Sequence, residues 1–271
     1  WDAIATKNVN MLRKGLENMP RIPRGTTWIN YVRCHDDIGL GFSENDARGA
    51  GYDPLMHKNF LIDYLTGKFY GSTSKGAPFM YNPKTGDARI SGSLASLAGL
   101  EKAIEECNSI EYDNSIAKII LLHSAIMSFG GIPLVYYGDE LASINDYSYL
   151  NNHIEKDDNR WMHRPIIDWR KAENRNVIGT KENRVFHAIK KMIAIRRNVI
   201  EFDGENDYEM IGNENKGIFS FLRERNDNKT LVMMNFSDKE EALDSSILAR
   251  CGFGENGQFY DRFTDNELYL H

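Results

Sequence analysis

This sequence of 271 residues lacks clustered basic residues and long apolar segments. It carries 33 lysines and arginines against 39 aspartates and glutamates, and the basic residues form no run. Because binding to nucleic acid or to an anionic membrane surface depends on clustered positive charge, neither partner is expected. The longest apolar stretch, residues 119–127, is interrupted by His123 and Ser124 and is too short to cross a bilayer. These absences leave a globular protein with small neutral partners.

Cysteine is scarce, and familiar catalytic motifs are missing. The three cysteines, Cys34, Cys107 and Cys251, form neither an even set nor a metal-ligand spacing, so the sequence predicts reduced thiols and no metal site. The sequence contains no G-x-S-x-G, no H-E-x-x-H, no Walker loop and no dinucleotide fingerprint. These gaps argue against a serine-elbow hydrolase, a zinc protease, a nucleotide hydrolase and a nicotinamide enzyme, and no cofactor is expected.

The chain begins at Trp1, without methionine or a signal-peptide pattern. We therefore expect a truncated chain that belongs to a longer protein. Because the informative end would then be missing, the compartment stays open, with a soluble cytoplasmic protein slightly favoured.

Apolar periodicity predicts helices over residues 2–17, 115–128 and 182–197, the first of them stopped by Pro20 and Pro23. Residues 28–32 and 132–137 are short, apolar and rich in β-branched or aromatic side chains, which is typical of buried strands. Acidic residues follow each strand. Alternating strands and helices with polar groups at the strand ends are typical of the last part of a (β/α)₈ TIM barrel.

The predicted fold class is α/β plus all-β. Residues 1–202 are expected to form a partial (β/α)₈ barrel with an inserted lobe at about residues 38–105. Residues 203–271 are expected to form a β-sandwich-like C-terminal domain, which begins with a hairpin around the polar turn at residues 226–229. Because about 200 residues with two convincing strands cannot close a barrel, self-association through the open barrel edge is also expected.

His35, Asp36 and Asp37 are the candidate functional residues at the end of the first strand. An imidazole and carboxylates there could bind a polyol and stabilise positive charge. Alternatively, the tripeptide is a solvated turn with a helix N-cap. Since consecutive strand residues face opposite sides, at most two of the three should face one pocket. Two other acidic segments, residues 139–140 and 157–161, have the same ambiguity.

Four segments resemble the α-amylase superfamily, glycoside hydrolase family 13. NYVRCHDDIG at residues 30–39 resembles its seventh-strand segment, GGIPLVYYGDE at 130–140 its eighth strand, and DDNRWMHRP at 157–165 the following loop. GAPFMYNPKTGDARISG at residues 76–92 resembles the insertion of amylosucrases. The resemblance covers essentially residues 1–236.

The resemblance implies the role of each site residue. Asp36 would be the third catalytic carboxylate and His35 would bind the same glucosyl ring. Asp37 and Arg89 would line the acceptor side, and Arg160 would form a salt bridge closing the donor pocket with an acid earlier in the family's chain. The family's nucleophile and acid/base lie upstream of these segments, so the isolated chain is expected to be inactive.

The implied function is retaining glucosyl transfer or hydrolysis on sucrose or an α-glucan, as in amylosucrases. Sucrose hydrolase and α-amylase activities stay open within the same superfamily. A non-catalytic carbohydrate-binding or assembly protein is the alternative from another class. The expected partner is a small sugar in each enzymatic case.

Overall fold

The computed structural model describes residues 1–20, 22–23, 25–204, 208–253 and 258–269. The α-helices among them are α1 (Asp2–Thr6), α2 (Asn10–Glu17), α3 (Glu44–Gly49), α4 (Pro54–Leu65), α5 (Leu94–Ala98), α6 (Leu100–Glu105), α7 (Ser109–Ser128), α8 (Trp169–Ala172), α9 (Lys181–Asn198) and α10 (Ser246–Arg250). The strands are β1 (Ile29–Asn30), β2 (Ala77–Phe79), β3 (Arg89–Ser91), β4 (Ile132–Pro133), β5 (Tyr208–Met210), β6 (Ile218–Arg225), β7 (Asn228–Asn235), β8 (Gln258–Asp261) and β9 (Asn266–Tyr269).

The helix predicted over residues 2–17 is two helices. Lys7 has φ 58°, in the left-handed region that ends α1, and its N–H donates to the carbonyl of Ala3. The side chain of Asn8 then accepts the N–H of Asn10 at 2.9 Å, where α2 begins. The break therefore comes from one backbone conformation, which apolar spacing does not report.

Strands β1 and β4 pair in parallel, with Ile29 opposite Ile132 and Asn30 opposite Pro133. This observation confirms both strands, although each is shorter than predicted. Their predicted burial is wrong, since Ile29 and Ile132 are 61% and 57% exposed, because the sheet consists of these two strands alone within the described residues. Large apolar side chains around the pair are exposed: Trp28, Ile29, Tyr31, Ile132, Leu134 and Tyr137. Self-association through this edge stays a prediction.

The main core lies between α7, α9 and the sheet formed by β5, β6 and β7. Ile119 of α7, Val185 of α9 and Phe221 of β6 are fully buried in one apolar cluster. A single core therefore joins residues on both sides of the predicted boundary at residue 202. The division into two domains stays a prediction.

The segment after residue 202 forms a three-stranded antiparallel sheet and a separate two-stranded hairpin in its described part. The hairpin of β6 and β7 is confirmed, but its turn is the two residues Asn226 and Asp227 rather than residues 226–229. The β-sandwich stays a prediction. Residues 205–207, 254–257 and 270–271 of this region lie outside the described residues.

Arg223 of β6 ties this sheet to the helical part. Its side chain is buried, and Nε, Nη1 and Nη2 donate to the carbonyls of Glu201, Phe129 and Asp203 at 2.9, 2.7 and 2.6 Å. Gly130 borders the guanidinium so closely that a Cβ there would lie 2.7 Å from Nη1. Glycine is thus required for close approach at this point.

Residues 38–105 contain α3 to α6 and the antiparallel pair of β2 and β3. Leu61, Leu65 and Leu97 form a small core of their own with Ile90. Ile38 and Ile90 exchange two backbone hydrogen bonds, at 2.7 and 3.0 Å, directly after the candidate residues 35–37. The segment therefore returns to the end of β1. Its status as an inserted lobe stays a prediction.

No helix in the described part of the chain is both long enough and apolar enough to pass through a membrane.

Candidate functional site

The candidate residues His35, Asp36 and Asp37 lie in a turn beyond β1, not in the strand itself. Strict alternation therefore does not apply to them. The side chains of His35 and Asp36 are 65% and 52% exposed and approach each other, with Nε2 and Oδ2 3.4 Å apart. Asp37 turns the other way, and its side chain is only 3% exposed. Two of the three, as expected, share one surface. They are consecutive in sequence, which strand alternation would not allow.

Two arginines stand beside the outer carboxylate. Oδ1 of Asp36 lies 3.5 Å from Nη1 of Arg160 and 3.6 Å from Nη2 of Arg164. The guanidinium of Arg160 also donates from Nε and Nη2 to Asp158, at 2.9 and 2.8 Å. These bonds lower the pKa of Asp158, so its carboxylate stays ionised. The resemblance placed the acidic partner of Arg160 earlier in the family's chain, whereas this structure pairs Arg160 with Asp158.

Asp37 and Arg89 meet across the chain. Nη1 of Arg89, on β3, donates to Oδ2 of Asp37 at 3.3 Å. The carboxylate is nearly buried, whereas the arginine side chain is 61% exposed. The two residues expected on one side of the site therefore lie together, with the guanidinium as the accessible group. Their role in binding stays a prediction.

A buried ion pair lies beneath the exposed residues. Nε of Arg33 donates to Oδ1 of Asp139 at 2.9 Å, and the two side chains are 1% and 2% exposed. Burial raises the pKa of Asp139 to about 6, although the charge of Arg33 opposes the shift. The pair joins the segment after β1 to the segment after β4.

His163 connects this buried layer to His35. Its Nδ1 accepts the N–H of Gly92 at 3.0 Å, so the proton of the neutral ring lies on Nε2, which donates to the carbonyl of His35 at 3.1 Å. Nη1 of Arg33 donates to the carbonyl of His163, and Nε of Arg164 donates to the carbonyl of His35 at 2.7 Å. Burial, followed by the charge of Arg33, lowers the pKa of His163 to about 4. His163 is therefore neutral at pH 7.

Comparisons with known proteins identify relatives of part of this chain. No family model matches the sequence. Glucosylglycerate phosphorylase of Escherichia coli K12 is 26% identical over 226 residues, which is 76% of this chain and 34% of that protein. Trehalose synthase of Pimelobacter sp. R48 is 23% identical over 228 residues, which is 77% of this chain and 33% of that protein. The chain thus spans about a third of the length of these curated relatives.

The fold of this chain resembles that of a solved structure. Sucrose 6F-phosphate phosphorylase from Thermoanaerobacter thermosaccharolyticum superimposes with a TM-score of 0.58 at 17% identity, covering 87% of this chain and 41% of that one. At 17% identity this similarity is one of fold. The structural neighbours of this chain are TIM-barrel enzymes, and the parallel pairing of β1 with β4 is compatible with that fold.

The side chains of His35 and Asp36 lie on an open surface. A cavity of about 490 Å³ lies elsewhere, and its lining includes Met127, Val135, Ile193 and Phe202. Among the described residues, the groups that could hold a metal ion are Cys34, His35 and Asp36, whose ligand atoms lie within 4.8 Å of one another. The sequence analysis predicted no metal site because it considered the spacing between cysteines, whereas these three potential ligands are consecutive residues of different types.

Sequence reasoning assigned no role to the supporting residues Arg33, His163 and Arg164. For Asp139 it left both a functional role and a solvated turn open. One signal was available, because Arg33 and Asp139 are charges that follow directly on apolar strands. Nothing in the sequence shows that they pair, since they are 106 residues apart. His163 and Arg164 gave no signal beyond their place in the quoted segment.

Proposed function

We propose that this chain is part of a retaining α-glucoside-active enzyme that transfers a glucosyl unit from sucrose to an α-glucan or to water, as amylosucrases do. The observation that carries the proposal is the pairing of His35 and Asp36 beyond β1, flanked by Arg160 and Arg164. The relatives, named as a glucosylglycerate phosphorylase and a trehalose synthase, support a glucoside substrate.

Asp36 and His35 would bind the hydroxyl groups of the glucosyl ring. A carboxylate accepts hydrogen bonds from two hydroxyls, and an imidazole donates or accepts one more. Such bonds strengthen as positive charge develops at the anomeric carbon, and they contribute several kcal/mol in retaining glycosidases. Arg160 and Arg164 would hold the Asp36 carboxylate in place, which keeps the dipoles preoriented for the transition state.

The reaction would be a double displacement. A carboxylate attacks the anomeric carbon, an acid protonates the leaving oxygen, and an acceptor then displaces the enzyme from the covalent glucosyl intermediate. We assign neither the nucleophile nor the acid/base to a residue of this chain. The chain alone would therefore bind a sugar weakly and would not turn it over.

Arg89 would act on the acceptor side. Its exposed guanidinium is oriented by the nearly buried carboxylate of Asp37, so it offers donors to an incoming hydroxyl group. Phosphate is a second candidate acceptor, because guanidinium groups bind phosphate in a bidentate manner and two of the similar proteins are named phosphorylases. Attack by phosphate on the same intermediate would release glucose 1-phosphate.

The test uses the enzyme that contains this chain, with sucrose as donor. Changing Asp36 to Asn should lower kcat/KM about 10²- to 10³-fold, the effect of removing one preoriented transition-state contact. The matched control is Asp227→Asn, which alters an exposed carboxylate in the turn between β6 and β7 and should leave activity unchanged. Release of glucose, longer glucan or glucose 1-phosphate distinguishes water, glucan and phosphate as acceptors.

Full activity in the Asp36→Asn enzyme would contradict the proposed role of Asp36. No cleavage of sucrose by the unmodified enzyme would remove sucrose as the donor. If the isolated chain released fructose from sucrose, it would contain its own nucleophile and acid/base. The proposal that the chain alone does not turn over sugar would then be wrong.

A further inference from the structure

Cys34, His35 and Asp36 bring a thiol, an imidazole and a carboxylate to one point of the surface. Their ligand atoms all lie within 4.8 Å of one another, and Nε2 of His35 is 3.4 Å from Oδ2 of Asp36. The chain turns tightly here, since the N–H of Asp36 points to Sγ of Cys34 at 3.5 Å. The three groups are therefore adjacent because of the turn, in addition to being consecutive.

We propose that these three side chains bind a thiophilic divalent cation such as Zn²⁺ at the site assigned above to the sugar. Imidazole nitrogen and carboxylate oxygen each lie about 2.1 Å from zinc, so a tetrahedral ion separates them by about 3.4 Å. That is the separation of Nε2 and Oδ2 in this structure. The sulfur supplies a third ligand at about 2.3 Å, and water supplies the fourth.

Charge decides what kind of site this is. A thiolate and a carboxylate together neutralise a doubly charged ion, and the ion itself displaces the thiol proton. Arg160 and Arg164 oppose binding, although they approach Oδ1 of Asp36 while the ion would use Oδ2. The exposure of His35 and Asp36 also lets water compete. The ion is therefore bound reversibly rather than as a structural component.

One consequence follows for the sugar. The ion would occupy the same imidazole and carboxylate that the proposed function assigns to the glucosyl ring, so zinc and sugar would exclude each other. This competition rests on the proposed function. Metal binding itself does not, because it depends only on the three ligands.

Metal binding is tested on this chain by titration with Co²⁺, followed by displacement with Zn²⁺. A tetrahedral cobalt ion with a thiolate ligand gives a sulfur-to-metal charge-transfer band in the near ultraviolet and intense visible bands. Cys34→Ser should abolish the charge-transfer band and weaken affinity at least about 10-fold, the smallest loss that changes around a metal site commonly cause. The matched control, Cys107→Ser, removes an exposed thiol that lies outside the cluster and should change neither.

Equal cobalt affinity and spectra in the wild-type chain and in Cys34→Ser would overturn the proposed site. So would the weak visible absorption of a six-coordinate ion without a charge-transfer band. Circular dichroism spectra of the two variants verify that both are folded, so a loss of binding is not a loss of structure.

The competition is tested separately in the sucrose-cleaving enzyme. Zinc should raise the apparent KM for sucrose, and Cys34→Ser should require at least about 10-fold more zinc for the same fractional inhibition of its own rate. Metal binding without any effect on KM would overturn the competition and the placing of sugar on His35 and Asp36. The metal site would then stand by itself.

Discussion

His163 makes stability depend on pH in a way that one substitution can remove. Its imidazole is buried and has a pKa of about 4, against about 6.5 in an unfolded chain. Between these values the unfolded chain binds a proton that the folded chain does not. The free energy of unfolding therefore decreases as the pH falls below about 6.5. The two pKa values give a loss of about 2 kcal/mol between pH 7 and pH 5.

The substitution is His163→Gln, whose amide N–H can still reach the carbonyl of His35 but does not titrate. The free energy of unfolding, measured with urea at pH 7, 6 and 5, should fall by about 2 kcal/mol more in the wild-type chain than in the variant. Arg33, Arg164 and Asp37 also act on the imidazole but are present in both proteins. His153→Gln, at an exposed histidine, should leave the slope unchanged. Parallel pH curves for wild type and His163→Gln would refute the buried neutral ring.

Three further changes test the fold. Asp139→Asn should lower the free energy of unfolding by about 3–5 kcal/mol at pH 7, because it leaves the guanidinium of Arg33 buried without its counter-ion; unchanged urea unfolding would contradict that pair. Phe221→Ala should cost about 3–5 kcal/mol by the same assay, because the ring is fully buried in the shared core, and a loss below 1 kcal/mol would argue against that core. Ile132→Lys should weaken any self-association through the exposed strand pair, as measured by light scattering, and an unchanged oligomer would place the contact elsewhere.

The strands show how far composition leads. Apolar and β-branched residues predict that residues 28–32 and 132–137 are buried strands. The parallel pairing of Ile29 with Ile132 confirms the strands, but the predicted burial is wrong because the described sheet ends at these two strands. The observed strands are shorter than the predicted ones, because a strand extends only as far as a partner strand completes its hydrogen bonds. Composition reports the preference of a segment, whereas the partner decides its extent.

The helices show a different limit. Periodicity predicts α9 to within one residue at each end, whereas α7 begins at Ser109, six residues before the predicted start at residue 115. The side chain of Asn108 caps this helix by accepting the N–H of Glu111, and the first turns are largely polar, so apolar spacing does not report the start. Apolar periodicity does not reveal the helix break at Lys7, since a single positive φ angle leaves the apolar spacing on either side intact. The resemblance of short segments found His35 and Asp36, but their contacts with Arg160 and Arg164 depend on how the later loop folds back.

The register of the two strands explains why the buried pair and the exposed site occur together. Because Ile29 lies opposite Ile132 in a parallel pair, the chain leaves both strands at the same edge, and Arg33 and Asp139 follow within a few residues. Removing either charge leaves the other buried and unpaired, which lowers the free energy of unfolding by several kcal/mol. Each charge of the pair therefore requires the other. Arg33 also binds the carbonyl of His163, whose ring holds the backbone of His35. The outward orientation of the proposed sugar-binding groups therefore depends on residues that no sugar contacts.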